Sequence, residues 1–95
     1  MPFSLPLPTP WPNQGWKVKI RDGERLEPPH VTVLHRTRAW RWNLRNCSFM
    51  DKDPDPSEVP QEIVTYIEAA LQRLRAQWDR MYATNPVGLQ EMDDE

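Results

Sequence analysis

The sequence predicts an α+β fold, a small antiparallel β-meander of three to four strands packed on one long C-terminal helix. Within residues 16–21 and 38–46, apolar and polar residues alternate as they do in half-buried strands. Between residues 58 and 82, apolar residues recur at helical spacing. The sheet and the helix each have one apolar surface, so we expect each to cover the other in two layers.

Three runs of β-forming residues predict the strands, and they lie at residues 16–21, 30–36 and 38–46. The Asp22-Gly23 pair after the first run is a turn signal, because glycine accepts a positive φ at little cost. Local connections of this kind predict an antiparallel meander with one aromatic and one basic face. We expect Trp40, Trp42, Leu71 and Trp78 to form the core between sheet and helix.

A single helix is predicted over residues 58–82, with Ser57 as its N-cap and Asn85-Pro86 ending it. At about 1.5 Å per residue it would be about 37 Å long. That is longer than a sheet of short strands can cover. We therefore expect the helix to overhang, to kink or to meet a second copy of the chain, which makes a homodimer through the long helix one prediction.

The remaining segments flank this domain, which we place at residues 16–83. Residues 1–15 form a proline-rich arm that is expected to be irregular, because proline fixes φ and donates no backbone hydrogen bond. Residues 50–60 are a proline-broken connector. Residues 84–95 are an acidic tail that we expect to be disordered.

Composition restricts the class of protein. Ninety-five residues fit one small domain, and the net charge of −2 excludes a chain that is basic overall but not a local basic face. Cys47 is the single cysteine, which fits a reducing compartment. No apolar run reaches the roughly 20 residues of a membrane helix. We expect a cytoplasmic protein with no membrane association, and the sequence implies no cofactor.

The segment "EPPHVTV", residues 27–33, resembles the E-P-P-H-V-H-V box of a bacterial family of small proteins, the domain of unknown function four-one-six-zero. An aromatic strand and a helical end typical of that family are matched here by "AWRWNL" and "LRAQWDRMY". The resemblance spans roughly residues 16–82. Thr32 stands where the family has its second box histidine, and the segment after the aromatic strand, often helical in the family, is here the proline-broken connector.

The resemblance implies a genetic setting more than a reaction. Genes of the family commonly lie beside another small gene, an arrangement similar to a toxin–antitoxin pair. The first functional hypothesis is therefore a protein that acts through a partner encoded by the neighbouring gene. Whether it is an enzyme is left open.

His30 is the candidate catalytic residue, because an ordinary histidine suits general acid–base chemistry. Strand parity places His30 and His35 on opposite faces, so the two are not expected to share a site. Thr32 removes a His-x-His metal pair, and Cys47 has no second thiol at zinc spacing, so no metal site is predicted. The alternative is a strand-end histidine that bonds to a nearby backbone group or carboxylate.

The basic face is the candidate nucleic-acid surface, with Arg36 and Arg38 at the turn beside it. Such a face attracts phosphates, which allows two further hypotheses: a metal-independent ribonuclease toxin, or a nucleic-acid-binding module without catalysis. The alternative is a solvated face whose charges guard the sheet edges. The candidate binding residues are Lys17, Lys19, Arg21, Arg41 and Arg45.

Overall fold

The computed structural model of the chain describes residues 3–21, 23 and 27–87. They form a four-stranded antiparallel sheet and two α-helices, which confirms the α+β class and the predicted meander. The strands are β1 (Phe3–Leu5), β2 (Trp16–Ile20), β3 (His30–His35) and β4 (Arg38–Asn43), and the helices are α1 (Gln61–Ala69) and α2 (Leu71–Met81).

Each strand pairs with its neighbours in sequence, in the order β1-β2-β3-β4. Leu5 pairs with Val18, Val18 with Val33, and Val33 with Trp40. These four side chains form a row across one face of the sheet, and all four are buried. The proline-rich segment 1–15 thus contributes the edge strand β1 in addition to its irregular part.

The outer edge of β4 is covered by the chain that follows it. Asn43 N–H donates to the Ser48 carbonyl, and Met50 N–H donates to the Arg41 carbonyl, each at 2.8 Å. A bridge between Trp42 and Phe49 completes this partial pairing. The segment 48–50 therefore satisfies backbone groups that a bare edge strand would expose, and it brings the start of the connector beside β4.

The single long helix is not confirmed, because α1 and α2 separate at Ala70, where φ is −99° and ψ is 12°. Helix α1 begins after Pro60 and is not capped by Ser57. The Ser57 N–H instead donates to Asp55, at 2.9 Å, within the short 3-10 turn Pro56–Glu58. No glycine or proline marks the break, and the apolar periodicity passes through it.

Both helices contribute buried side chains to the core, on either side of the break. Ile63 and Ile67 of α1 are fully buried in the main apolar cluster. Helix α2 contacts residues at one end of the sheet, where β2 and β4 finish and β3 starts. Its contact pairs are Arg75 with the Leu44 carbonyl, Trp78 with the His30 ring, and Tyr82 with the Arg21 carbonyl.

Three of the four predicted core residues are confirmed. Trp40, Trp42 and Trp78 are at most 1% exposed, whereas Leu71 is only half-buried. A buried indole needs an acceptor for its N–H. The Asp55 carbonyl accepts from Trp40 at 3.0 Å, and the Asn85 carbonyl accepts from Trp78 at 2.7 Å.

Two predictions at the chain's turns and tail fall partly outside the described residues. Asp22 of the predicted turn and residues 88–95 of the predicted tail lie there, whereas Gly23 has the expected positive φ, 81°. Within the described part of the chain, no helix has the length and apolar character needed to cross a bilayer.

Replacing Trp42 by alanine should lower the free energy of unfolding by about 3–5 kcal/mol, because it removes a buried aromatic side chain and leaves a cavity. Urea unfolding followed by circular dichroism would measure the change. Trp11→Ala is the matched control, since Trp11 is half-buried, and it should cost clearly less. Equal losses in the two variants would contradict the assignment of the core face.

Candidate nucleic-acid interface

Three cations lie along or directly after β2, on the side away from the main core. Lys17 and Lys19 alternate with the buried Trp16, Val18 and Ile20, so they point to the opposite face of the sheet. Lys17 and Arg21 are exposed, and Lys19 is half-buried. Within residues 3–21, 23 and 27–87, none of the three side chains makes an ion pair or a hydrogen bond. We call Lys17, Lys19 and Arg21 the β2 cation row.

Arg41 lies on the same face but is occupied by two carboxylates. Its Nε and Nη2 donate to the two oxygens of Asp51 at 2.9 and 2.7 Å, a bidentate pair, and its Nη1 donates to Glu27 at 3.2 Å. The hydrogen bonds from Arg41 hold the pKa of Asp51 below its usual value. Hydrogen bonds to the same two carboxylates raise the pKa of Arg41. Its charge is therefore balanced inside the protein.

Arg45 follows β4 and serves as a structural donor. Its Nε donates to the Val87 carbonyl at 2.8 Å, and its Nη2 donates to the Pro86 carbonyl at 3.0 Å and to Asn85 Oδ1 at 3.4 Å. These bonds attach the segment after α2 to the end of β4. Among the residues that the structure describes, the guanidinium meets no carboxylate, but its donors already have protein acceptors.

The structure thus divides the five predicted binding residues. Lys19 pairs with Thr32 across β2 and β3, and Thr32 pairs with Arg41 across β3 and β4. The three residues form a continuous polar row across the sheet. Of the five predicted binding residues, only those of the β2 cation row have side chains without internal partners among the described residues. Sequence pattern could not show this division, because Asp51 and Glu27 are ten and fourteen residues away from Arg41.

His30 starts β3, and its side chain is completely buried. The carbonyl of Pro28 can only accept, so Nδ1 carries a proton and donates to it at 2.8 Å. Nε2 lies 3.7 Å from a Glu27 oxygen, and the ring centroid lies 5.6 Å from that of Trp78. A substrate has no access to a ring in this position, which supports the interpretation of His30 as a bonded strand-end histidine.

His35 lies at the other end of β3, in a different environment. Its ring stacks on Trp16 with centroids 4.0 Å apart and planes within 9°, and Nε2 donates to the Gln14 carbonyl at 3.1 Å. The two histidines therefore do not share a site, as strand parity predicts. His35 borders a cleft of about 320 Å³ at the β3–β4 turn, lined also by Trp16, Arg36, Thr37, Arg38, Trp40 and Glu58.

A second concavity lies between the proline-rich segment and α1. It has a volume of about 500 Å³. Its apolar wall is formed by Pro8, Pro10, Trp11, Tyr66 and Ala69. We call it the arm groove. Trp11 is half-buried there, so part of its indole faces the groove.

The described residues contain no cluster of side chains that could hold a metal ion. No group of three or more histidine, cysteine, aspartate or glutamate side chains converges among these residues. Comparisons with protein-family models, curated proteins and solved structures found no match to this chain. The function must therefore be argued from the surfaces themselves.

The pairing of Asp51 with Arg41 predicts a specific pH dependence of stability. Because the folded protein lowers the pKa of Asp51 from 3.8, the ionised pair stabilises the fold fully above that value. The contribution decreases as pH falls below it and is lost below the folded pKa. The stability difference between wild type and Asp51→Asn should thus be larger at pH 7 than at pH 3.

Urea unfolding at the two pH values measures this difference. Asp53→Asn is the control, since Asp53 is exposed and has no ion pair in the described part of the chain. The stability difference between wild type and Asp53→Asn should be the same at pH 7 and pH 3. An Asp51→Asn variant that destabilises equally at both pH values would show that the carboxylate charge does not matter.

Proposed function

We propose that this protein is a small nucleic-acid-binding module whose contact surface is the β2 cation row. The observation that supports the proposal is the lack of internal partners for Lys17, Lys19 and Arg21 in the described structure, on the face opposite the main core. Unpaired cations in a row attract phosphates of any sequence. Binding of this kind positions a nucleic acid but does not select bases.

The distribution of charge along the chain supports the same surface. Residues 16–45 contain eight lysines and arginines and three acidic residues, whereas residues 46–95 contain four and eleven. The chain is therefore weakly acidic overall while its sheet region is basic. An asymmetry of this kind is typical of proteins that contact polyanions with one region.

The number of free cations sets the strength of the expected binding. Each phosphate neutralised on a single strand changes the logarithm of affinity by roughly −0.7 per logarithm of salt concentration. Three contacts therefore give a slope of about −2. We expect binding that is weak at physiological salt and clearly stronger at low salt.

A double substitution tests the proposal. Lys17→Ala with Lys19→Ala should weaken binding of a labelled single-stranded RNA at low salt and should reduce the salt slope by about 1.4. Fluorescence anisotropy at several salt concentrations measures both quantities. Lys52→Ala is the matched control, because Lys52 is an exposed lysine in the connector. An RNA affinity that does not change with salt concentration, or that the double substitution does not lower, would contradict the proposed surface.

A second candidate is action through a protein partner, in a toxin–antitoxin-like module with the neighbouring gene product. The arm groove favours it, because an apolar concavity of about 500 Å³ beside a half-buried tryptophan suits an apolar side chain of another protein. The resemblance of "EPPHVTV" and "AWRWNL" to the domain of unknown function four-one-six-zero supports the genetic setting. The prediction of a homodimer was based on a single long helix, which the structure does not have. The homodimer stays a prediction. The ribonuclease activity and the cytoplasmic location also stay predictions.

Co-expression with the protein encoded beside this gene tests the second candidate. A co-purifying complex should weaken when Thr65→Arg places a charged side chain in the arm groove. Thr65 is exposed and lines that groove. Gln72→Arg, on an exposed position of α2, is the control and should leave the complex intact. Co-purification that resists Thr65→Arg would place the partner elsewhere.

A further inference from the structure

The β3–β4 turn has an unusual residue at its first position. Because His35 pairs with Arg38, only Arg36 and Thr37 connect the two strands. Arg36 has a φ of 58°, whereas Thr37 is not among the residues with positive φ. In two-residue hairpin turns of this pattern the first position is usually glycine, because an L side chain is disfavoured there. Arginine at this position is locally unfavourable.

No internal contact of the Arg36 side chain offsets this strain. The side chain is exposed, and within the described residues its guanidinium has no ion pair or hydrogen bond. The neighbouring Arg38 differs, since it forms an ion pair with Glu58. The turn therefore presents one uncompensated cation at a position where the backbone would favour glycine. Strained residues of this kind cluster at ligand sites.

The cleft of about 320 Å³ beside the turn provides further polar groups. The stack on Trp16 and the bond from Nε2 to Gln14 fix the plane of the His35 ring. Nε2 is already used as the donor to a carbonyl, so the ring forms a fixed wall of the cleft. The Thr37 hydroxyl also lines the cleft.

The charged groups around the cleft leave a net positive charge. They are Arg36, Arg38 and Glu58, and Glu58 is paired with Arg38. The guanidinium of Arg36 is a planar, forked donor that matches two oxygens of a phosphate. The Thr37 hydroxyl, which lines the same cleft, is a suitable donor for a further oxygen.

We propose that the β3–β4 cleft is a binding site for a terminal phosphate group, held by Arg36 with the Thr37 hydroxyl. This inference rests on the proposed function in naming the 5′-phosphate of a single-stranded nucleic acid as the natural ligand. Inorganic phosphate offers the same chemistry without the chain. Comparing the binding of inorganic phosphate with that of the nucleic acid distinguishes the contribution of the cleft from that of the β2 cation row.

The test compares a 5′-phosphorylated RNA oligonucleotide with the 5′-hydroxyl form of the same sequence at low salt. Wild-type protein should bind the phosphorylated form about ten- to a hundredfold more tightly, the range expected for charge-assisted hydrogen bonds. Arg36→Ala should abolish the preference. Arg80→Ala removes an exposed arginine from α2 and should leave the preference unchanged.

Two more variants separate binding from folding. Arg36→Gly should raise the melting temperature, because glycine accepts the positive φ, and should abolish the preference just as Arg36→Ala does. His35→Phe keeps a ring stacked on Trp16 and removes no phosphate donor, so it should leave the preference in place. A preference that persists in both Arg36 variants would overturn the site, as would equal binding of the two oligonucleotides by wild type.

An NMR titration with inorganic phosphate distinguishes the two proposals. Shifts of the backbone amides of residues 35–38 that depend on Arg36 would support the site even if no oligonucleotide binds, and the nucleic-acid proposal alone would then fail. Oligonucleotide binding that requires Lys17 and Lys19 but shows no effect of the 5′-phosphate would have the opposite meaning. It would retain the β2 cation row and reject the cleft.

Discussion

The buried indole of Trp78 connects three distant parts of the chain. Its ring lies 4.2 Å from that of Tyr82 and 5.6 Å from that of His30, and its N–H donates to the carbonyl of Asn85. The amide of Asn85 in turn donates to the Glu27 carbonyl at 2.7 Å. Helix α2, the residues after it and the segment before β3 thus depend on one another. The burial of His30 follows from this arrangement, since the ring closes the core where α2 crosses the end of the sheet.

The arginines of the sheet region show how few of its charges remain for a ligand. Arg41 is balanced by carboxylates, Arg45 donates to carbonyls after α2, and Arg38 pairs with Glu58. Each replaces water by protein acceptors and so joins segments that are distant in sequence. Arg36 makes no such contact in the described structure. Cations that look equivalent in sequence therefore divide into structural ones and ones that are available.

The sequence pattern predicted the three longer strands, whose positions depend on the residues within each strand. Alternation places β2 and β4, and a run of β-forming residues places β3, within three residues of their observed ends. Trp40 and Trp42 follow from the same alternation, and Trp78 follows from the helical periodicity. Strand β1 is only three residues long and is followed by prolines, so nothing in the sequence distinguishes it from an irregular arm. The break at Ala70 also has no local signal, because alanine favours helix and the apolar periodicity continues through it. The pairing of Arg41 with Asp51 also has no local signal, because the two residues are ten positions apart in the sequence.

The overall charge of −2 does not oppose binding of an anion at the sheet. At physiological ionic strength the Debye length is about 8 Å, so a phosphate responds to charges within that distance far more than to the whole chain. The carboxylates nearest to Arg41 and Arg38 are themselves paired, and a paired carboxylate repels an incoming anion less than a free one. Internal ion pairs thus have two effects here: they hold segments together, and they balance carboxylates that would otherwise repel an incoming anion. A binding surface can then exist on a chain whose total charge would suggest none.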